Sequence, residues 1–192
     1  MVRRPKGFQA RQQGGVPREA DERAIVTLYS HYCNAVDRRD RRLLRSVYWP
    51  DARDDHGLFA GSRDQFVSWL FPYLRQTFSS IQHCVQYPVI TFRQDRAFSL
   101  CGFHTAAILK TQEQGGVRLA YGRYLDALER RRGKWRISSR VVVYDLILRL
   151  PGAVDPLPTS RDVDSQLIRG VEELWLGVKI SGLSDTSLWS QR

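Results

Sequence analysis

Several residue types that announce common chemistries are scarce or absent. Among 192 residues there are 3 cysteines and 1 methionine. Cys33, Cys84 and Cys101 are scattered and odd in number, which excludes a disulfide framework and a paired-thiol zinc site and points to reduced thiols. No apolar run is long enough to cross a bilayer, so no membrane association is expected. The leading segment MVRRPKGFQARQQGGVPREADER has positive charge with no apolar stretch behind it, and a cytoplasmic location is the expectation. The chain lacks a glycine-rich phosphate loop, a Gly-x-Ser-x-Gly elbow and a His-x-x-x-His pair. No metal or other cofactor is therefore expected, and the chemistry is expected to run on protons alone. Lysine is scarce as well: only Lys6, Lys110, Lys134 and Lys179 occur among 30 basic residues, so the other 26 are arginine. A net charge of +10 raises the question of nucleic acid, whose phosphates reward a clustered basic surface. Arg38-Arg39-Asp40-Arg41-Arg42 is interleaved with acid, Arg130-Arg131-Arg132-Gly133-Lys134 sits at a turn, and no aromatic-plus-basic module accompanies either. No nucleic-acid partner is expected.

What is present reads as helices followed by strands. Residues 1–20 carry Gly14, Gly15 and Pro17 among polar neighbours and are expected to be a flexible arm. From Ala24 to about Arg39, Ile25, Leu28, Tyr29, Tyr32, Ala35 and Val36 recur at helical spacing. Asp40 is placed to cap a short second helix over Arg41 to Tyr48, and Trp49 to Gly57 reads as a loop. Ser62 and Gln65 match a capping box, opening a third helix that runs to about Gln76 with a kink at Pro72. From Ile81 the period changes to two, predicting strands over Ile81–Phe92, Arg96–Lys110, Val117–Arg130 and Lys134–Leu148 joined by short hairpins. The expectation is an α+β domain over residues 21–150, cone-like, with N-terminal helices packed on a strongly curved antiparallel sheet. Residues 151–192 are expected to form a C-terminal extension serving as a pocket lid or oligomer contact. Both faces of the long strands carry apolar residues and the helices can cover only one, so a homodimer or homotrimer is expected.

Polar residues on apolar faces mark the candidate chemistry. Asp37 lies at the border of the first helix's apolar arc and, unlike Asp40, has no local structural task. His83 shares its strand face with Ile81, Val85 and Tyr87 and is expected to point inward. A carboxylate on one ring nitrogen fixes the tautomer and frees the other to act as a base, and Asp37 is the candidate partner. His104 alternates with Phe98, Leu100, Ala106 and Ile108, while Tyr124 and Asp126 share one strand face. Arg140 needs an anionic partner if buried, either Asp126 or Asp145, or charge developing on a substrate. His56 beside Asp54 and Asp55 reads as part of a solvated loop. Tyr48, Trp49, Trp69 and Phe103 are candidate aromatic walls for a small hydrophobic substrate.

Tyr32-Cys33-Asn34-Ala35-Val36-Asp37-Arg38-Arg39-Asp40, Trp49-Pro50-Asp51-Ala52, Gly61-Ser62, Gln82-His83, Gly122-Arg123-Tyr124-Leu125-Asp126 and Trp135-Arg136-Ile137-Ser138-Ser139-Arg140 together resemble the polyketide-cyclase (SnoaL)-like branch of the nuclear transport factor two-like superfamily. The likeness covers roughly Asp21 to Leu148. That family includes dehydrochlorinases, dehydratases and a formaldehyde-releasing lyase, together with noncatalytic members and dioxygenase β subunits. The resemblance implies a cofactor-independent lyase in which His83 is the base, Asp37 its orienting carboxylate, Tyr32 an aid to the leaving group and Arg140 a counter-charge. The residues themselves make His104 an alternative aid to the leaving group and give substrate contacts as Arg140, His104, Tyr48, Trp49, Trp69, Phe103 and Tyr124. Dehydration or deformylation of an aromatic, lignin-derived or steroid-like compound is the expected reaction, with an isomerase or cyclase using the same base as the nearest alternative and a noncatalytic subunit, such as a dioxygenase β-like protein, as the alternative of a different class.

Overall fold

The computed structural model describes residues 18–110 and 116–151. The chain divides into two compact units, Met1–Val154 and Asp155–Arg192, and the description concerns the first. Residues 1–17 of the expected 1–20 arm and residues 152–192 of the expected 151–192 extension lie outside the described residues, while Glu19 and Ala20 already belong to the first helix and Pro151 to the last strand.

Two helices open the described residues, and a third follows a short strand pair. Helix α1 spans Glu19–Asp37, with Glu19, Asp21 and Glu22 in its first turn complementing the positive end of the helix dipole. Asp40 Oδ1 accepts the amides of Arg42 and Leu43, both at 2.9 Å, and so caps α2, Arg41–Val47. The Ser62–Gln65 capping box starts α3, Arg63–Thr77, which continues through Pro72.

The sheet has seven strands: β1 Tyr48–Asp55, β2 Ala60–Ser62, β3 Phe78–Val85, β4 Val89–Arg93, β5 Arg96–Leu109, β6 Gly116–Arg131 and β7 Lys134–Pro151. Their order is β2-β1-β7-β6-β5-β3, with β4 also on β5. Strands β5, β6 and β7 form the expected antiparallel hairpins, turning with positive φ at Arg132 and Gly133. Two expectations are corrected. The first long strand is split into β3 and β4 at Gln86–Pro88, where proline withholds a ladder donor. The Trp49–Gly57 loop is instead mostly β1, which pairs parallel with β7 and makes the sheet mixed. Register shifts at Tyr121/Gly122 and Ala127/Leu128 bend the central hairpin, as bulges do. The result is three helices on a large, curved, unclosed sheet, the cone-shaped α+β arrangement. Ile25, Val36, Leu44, Phe66, Phe71 and Leu128 belong to the core cluster that joins the two layers.

Candidate active site

Helix α1 ends at Asp37, where a carboxylate faces the unfavourable negative end of the dipole and gains from a donor partner. His83 of β3 supplies two: its backbone amide donates to Asp37 Oδ2 at 3.0 Å, and its ring Nδ1 lies 2.5 Å from Oδ1. This double attachment fixes the ring and leaves Nε2 for the cavity that His83 lines. The cavity holds about 220 Å³ between the helices and the inner face of the sheet, with walls that include Tyr32, Trp69, Phe103 and Tyr124. Phe103 stacks on Tyr124 at 4.3 Å, and Trp69 stacks on Tyr73 at 5.0 Å. A wider groove of about 780 Å³ runs beside the start of α1, and neither His83 nor His56 borders it.

A second carboxylate–histidine pair stands on the same cavity. Asp54 of β1 bonds His56 Nδ1, and His56 Nε2 lies 3.1 Å from the Tyr32 hydroxyl. The Tyr48 hydroxyl donates to the other Asp54 oxygen at 2.7 Å, and the His56 ring stacks on Phe66 at 4.5 Å. Asp54 and His56 are buried, so their assignment to a solvated loop is overturned: β1 carries Ala52 and Asp54 inward at alternate positions, and His56, just past its end, continues the alternation. The alternation was present in the sequence, but the segment is poor in the β-branched residues that signal a strand. Tyr32 therefore touches both histidines, with its hydroxyl on His56 and its ring edge-on to His83 at 6.3 Å. Burial, above all other causes, raises the Tyr32 phenol far beyond its usual titration range, so it remains a proton donor at neutral pH.

Arg140 lies behind this wall. It forms a two-pronged pair with Asp126 at 2.8 and 2.7 Å, and its guanidinium is 4.1 Å from the ring centres of both Tyr32 and Tyr124. Asp126 also accepts the Tyr29 hydroxyl at 2.6 Å. The expected partner choice between Asp126 and Asp145 thus falls on Asp126, while Asp145 pairs with Arg123 outside. Arg140 is not among the cavity-lining residues, so its influence there passes through the two tyrosines. Other placements also depart from expectation. His104 is exposed and stacks on Tyr121 at 5.8 Å, because β5 turns Cys101, Phe103 and Thr105 inward and His104 outward. Tyr48 is engaged with Asp54 inside the core. The Trp49 indole donates to the Glu129 carbonyl at 3.0 Å under Arg131 and Arg136, away from the cavity. Trp69, Phe103 and Tyr124 do line it.

A family model of the SnoaL-like domain matches residues 17–141. The chain belongs to the SnoaL-like family. The match spans all three helices and most of the sheet. Among solved structures, LinA, a hexachlorocyclohexane dehydrochlorinase, is 25% identical with a TM-score of 0.67, over 73% of this chain and 97% of LinA. A scytalone dehydratase-like protein of Novosphingobium aromaticivorans DSM 12444 is 17% identical with a TM-score of 0.62, over 72% and 94%. A nuclear transport factor 2-like protein of Salmonella enterica serovar Typhimurium LT2 has the same fold at 16% identity and a TM-score of 0.59, over 73% and 96%. Comparison with curated proteins gives no match. Among the described residues no helix is long and apolar enough to cross a membrane.

Proposed function

We propose that this SnoaL-like protein is a cofactor-independent lyase that eliminates a small group from a hydrophobic cyclic or aromatic substrate, by dehydration or deformylation. The observation that carries the reading is the double attachment of Asp37 to His83 at the wall of an aromatic cavity. In this mechanism His83 Nε2 takes a proton from substrate carbon. Positive charge then forms on the ring beside the Asp37 carboxylate and the negative end of α1, both of which favour it. In dehydration the electron pair left on carbon becomes the new double bond as the bond to the leaving oxygen breaks, and the Tyr32 hydroxyl protonates that oxygen. In deformylation His83 instead takes the hydroxyl proton of a hydroxymethyl group, the carbon–carbon bond breaks to release formaldehyde, and its electron pair becomes the double bond as the neighbouring oxygen leaves, protonated by Tyr32. The relay works when His56 carries protons on both nitrogens: Nδ1–H is held by Asp54, and Nε2–H restores the proton that Tyr32 gave away. Trp69, Phe103 and Tyr124 hold the hydrophobic body of the substrate.

Aromatic and steroid-like alcohols incubated with the protein, with water or formaldehyde release followed by mass spectrometry, provide the assay. His83→Ala is expected to cut turnover by about a hundred- to ten-thousand-fold. Asp37→Asn should leave a weaker enzyme, since the amide no longer enforces one tautomer. Circular dichroism should show both variants folded. Full activity in His83→Ala would end the assignment. An isomerase using the same base returns its proton to the substrate, so a product of unchanged mass would identify that reaction instead.

A further inference from the structure

Arg118 of β6 lines the same cavity as His83. The neighbouring arginines of that strand are engaged with acids: Arg123 with Asp145, Arg130 with Asp21 and Asp95, Arg131 with Asp51 and Glu129. Arg118 is different. Among the described residues it enters no ion pair, its guanidinium lies 4.6 Å from the Phe78 ring centre, and its one hydrogen bond runs from Nη1 to the Tyr73 hydroxyl at 3.3 Å. Its Nε is buried without a hydrogen-bond partner. A guanidinium keeps its charge at any ordinary pH, and a buried donor left unsatisfied is costly, so the group is built to receive an acceptor, best of all an anion.

The register places it usefully. Ile81, Ala107 and Arg118 form one row across β3, β5 and β6, and His83, Thr105 and Ala120 form the next row on the same face. Two strand spacings across and two residues along separate the backbones of Arg118 and His83 by about 12 Å on a flat sheet. Their side chains shorten that span from both ends to the length of a small aryl or alicyclic acid. We propose that Arg118, aided by Tyr73, is an anion subsite that receives a carboxylate of the substrate and so sets which carbon faces His83. The substrate class is then a hydrophobic carboxylic acid. The proposal rests on the cavity being the substrate site, as the lyase reading requires.

Isothermal titration of the full chain with benzoate, phenylacetate and 3-phenylpropionate, each against its primary amide, tests this. At least one acid is expected to bind about tenfold or more tightly than its amide, since a charge-assisted pair is involved. That preference should vanish in Arg118→Gln, persist in reduced form in Arg118→Lys, and weaken as chloride is raised. His83→Ala should retain it. Equal affinity of acid and amide for the unmutated chain, no binding by any of the three acids, or an undiminished preference in Arg118→Gln would overturn the proposal. Retained acid preference together with a fully active His83→Ala would remove the lyase reading and leave the anion subsite standing.

Discussion

Tyr32 has its hydroxyl on one histidine and its ring against the other. Because burial keeps its phenol protonated, Tyr32→Phe is expected to lower turnover about tenfold or more while sparing substrate affinity, which separate kcat and KM values would show. The variant also leaves His56 Nε2 without its partner, so a stability loss of about 1–3 kcal/mol should accompany it in urea titrations. The cysteines divide in the same way by environment. Burial pushes the thiols of Cys33 and Cys101 up to about 12, whereas Cys84 is exposed. Iodoacetamide at pH 8 should therefore label only Cys84 in the native protein, as mass mapping would show, and the other two should react only after unfolding.

At the scale of elements, bends in the central hairpin shape the cavity. A Cβ at Gly122 would lie 2.2 Å from the Val143 carbonyl oxygen and 2.8 Å from the Phe103 ring, which forms part of the cavity wall. Gly122→Ala is expected to cost about 1–3 kcal/mol by overpacking and to displace Phe103 from Tyr124, seen as a lower urea midpoint and a raised KM. Elements with local signals were legible in the sequence: the Asp40 cap, the Ser62–Gln65 box and the β5–β7 hairpins stand where composition and period place them. Asp37 could be paired with His83 because one lacked any local task and the other sat among apolar neighbours. What escaped depends on distant partners. Strand β1 forms in Trp-Pro-Asp-Ala-Arg-Asp-Asp because β7 and β2 flank it, so Asp54 and His56 were misplaced with it. His104 was misplaced because both faces of β5 carry apolar side chains, and alternation alone cannot say which face meets the helices.

Among the described residues, an apolar core crossed by a row of buried polar groups is combined with an apolar exterior face on the sheet. Leu100, Leu125 and Val141 form one outward row, with Phe98 and Tyr121 exposed nearby. Covering this face is the expected basis of a homodimer or homotrimer, and light scattering at micromolar concentration should find more than a monomer. Inside, Cys33, Cys101, Tyr29, Tyr32, Tyr48 and Tyr124 all hold their protons more tightly than the unfolded chain does, chiefly because of burial. Above about pH 9 the unfolded state releases those protons while the folded state keeps them, so stability should fall as pH rises, by up to about 1.4 kcal/mol per unit for each group. Melting temperatures measured from pH 7 to 10.5 would check the direction. The same interior also acts as a ruler during assembly of the sheet. Ser99, Asp126, Arg140 and Asp54 fall in one row across β5, β6, β7 and β1, all of them buried. In β7 the run Val141-Val142-Val143 would satisfy a core with either parity, so oil-like residues alone do not say which way the strand faces. A slip of β6 by one residue would bring Leu125 or Ala127 into the row, turn Arg123 inward and carry Asp126 to the outer face, out of reach of Arg140. Mutual recognition of one guanidinium and one carboxylate thus selects the alignment that also turns Tyr124 toward the cavity, and a chain with Leu at 126 and Met at 140 would keep its packing but lose that means of telling its aligned form from its slipped one.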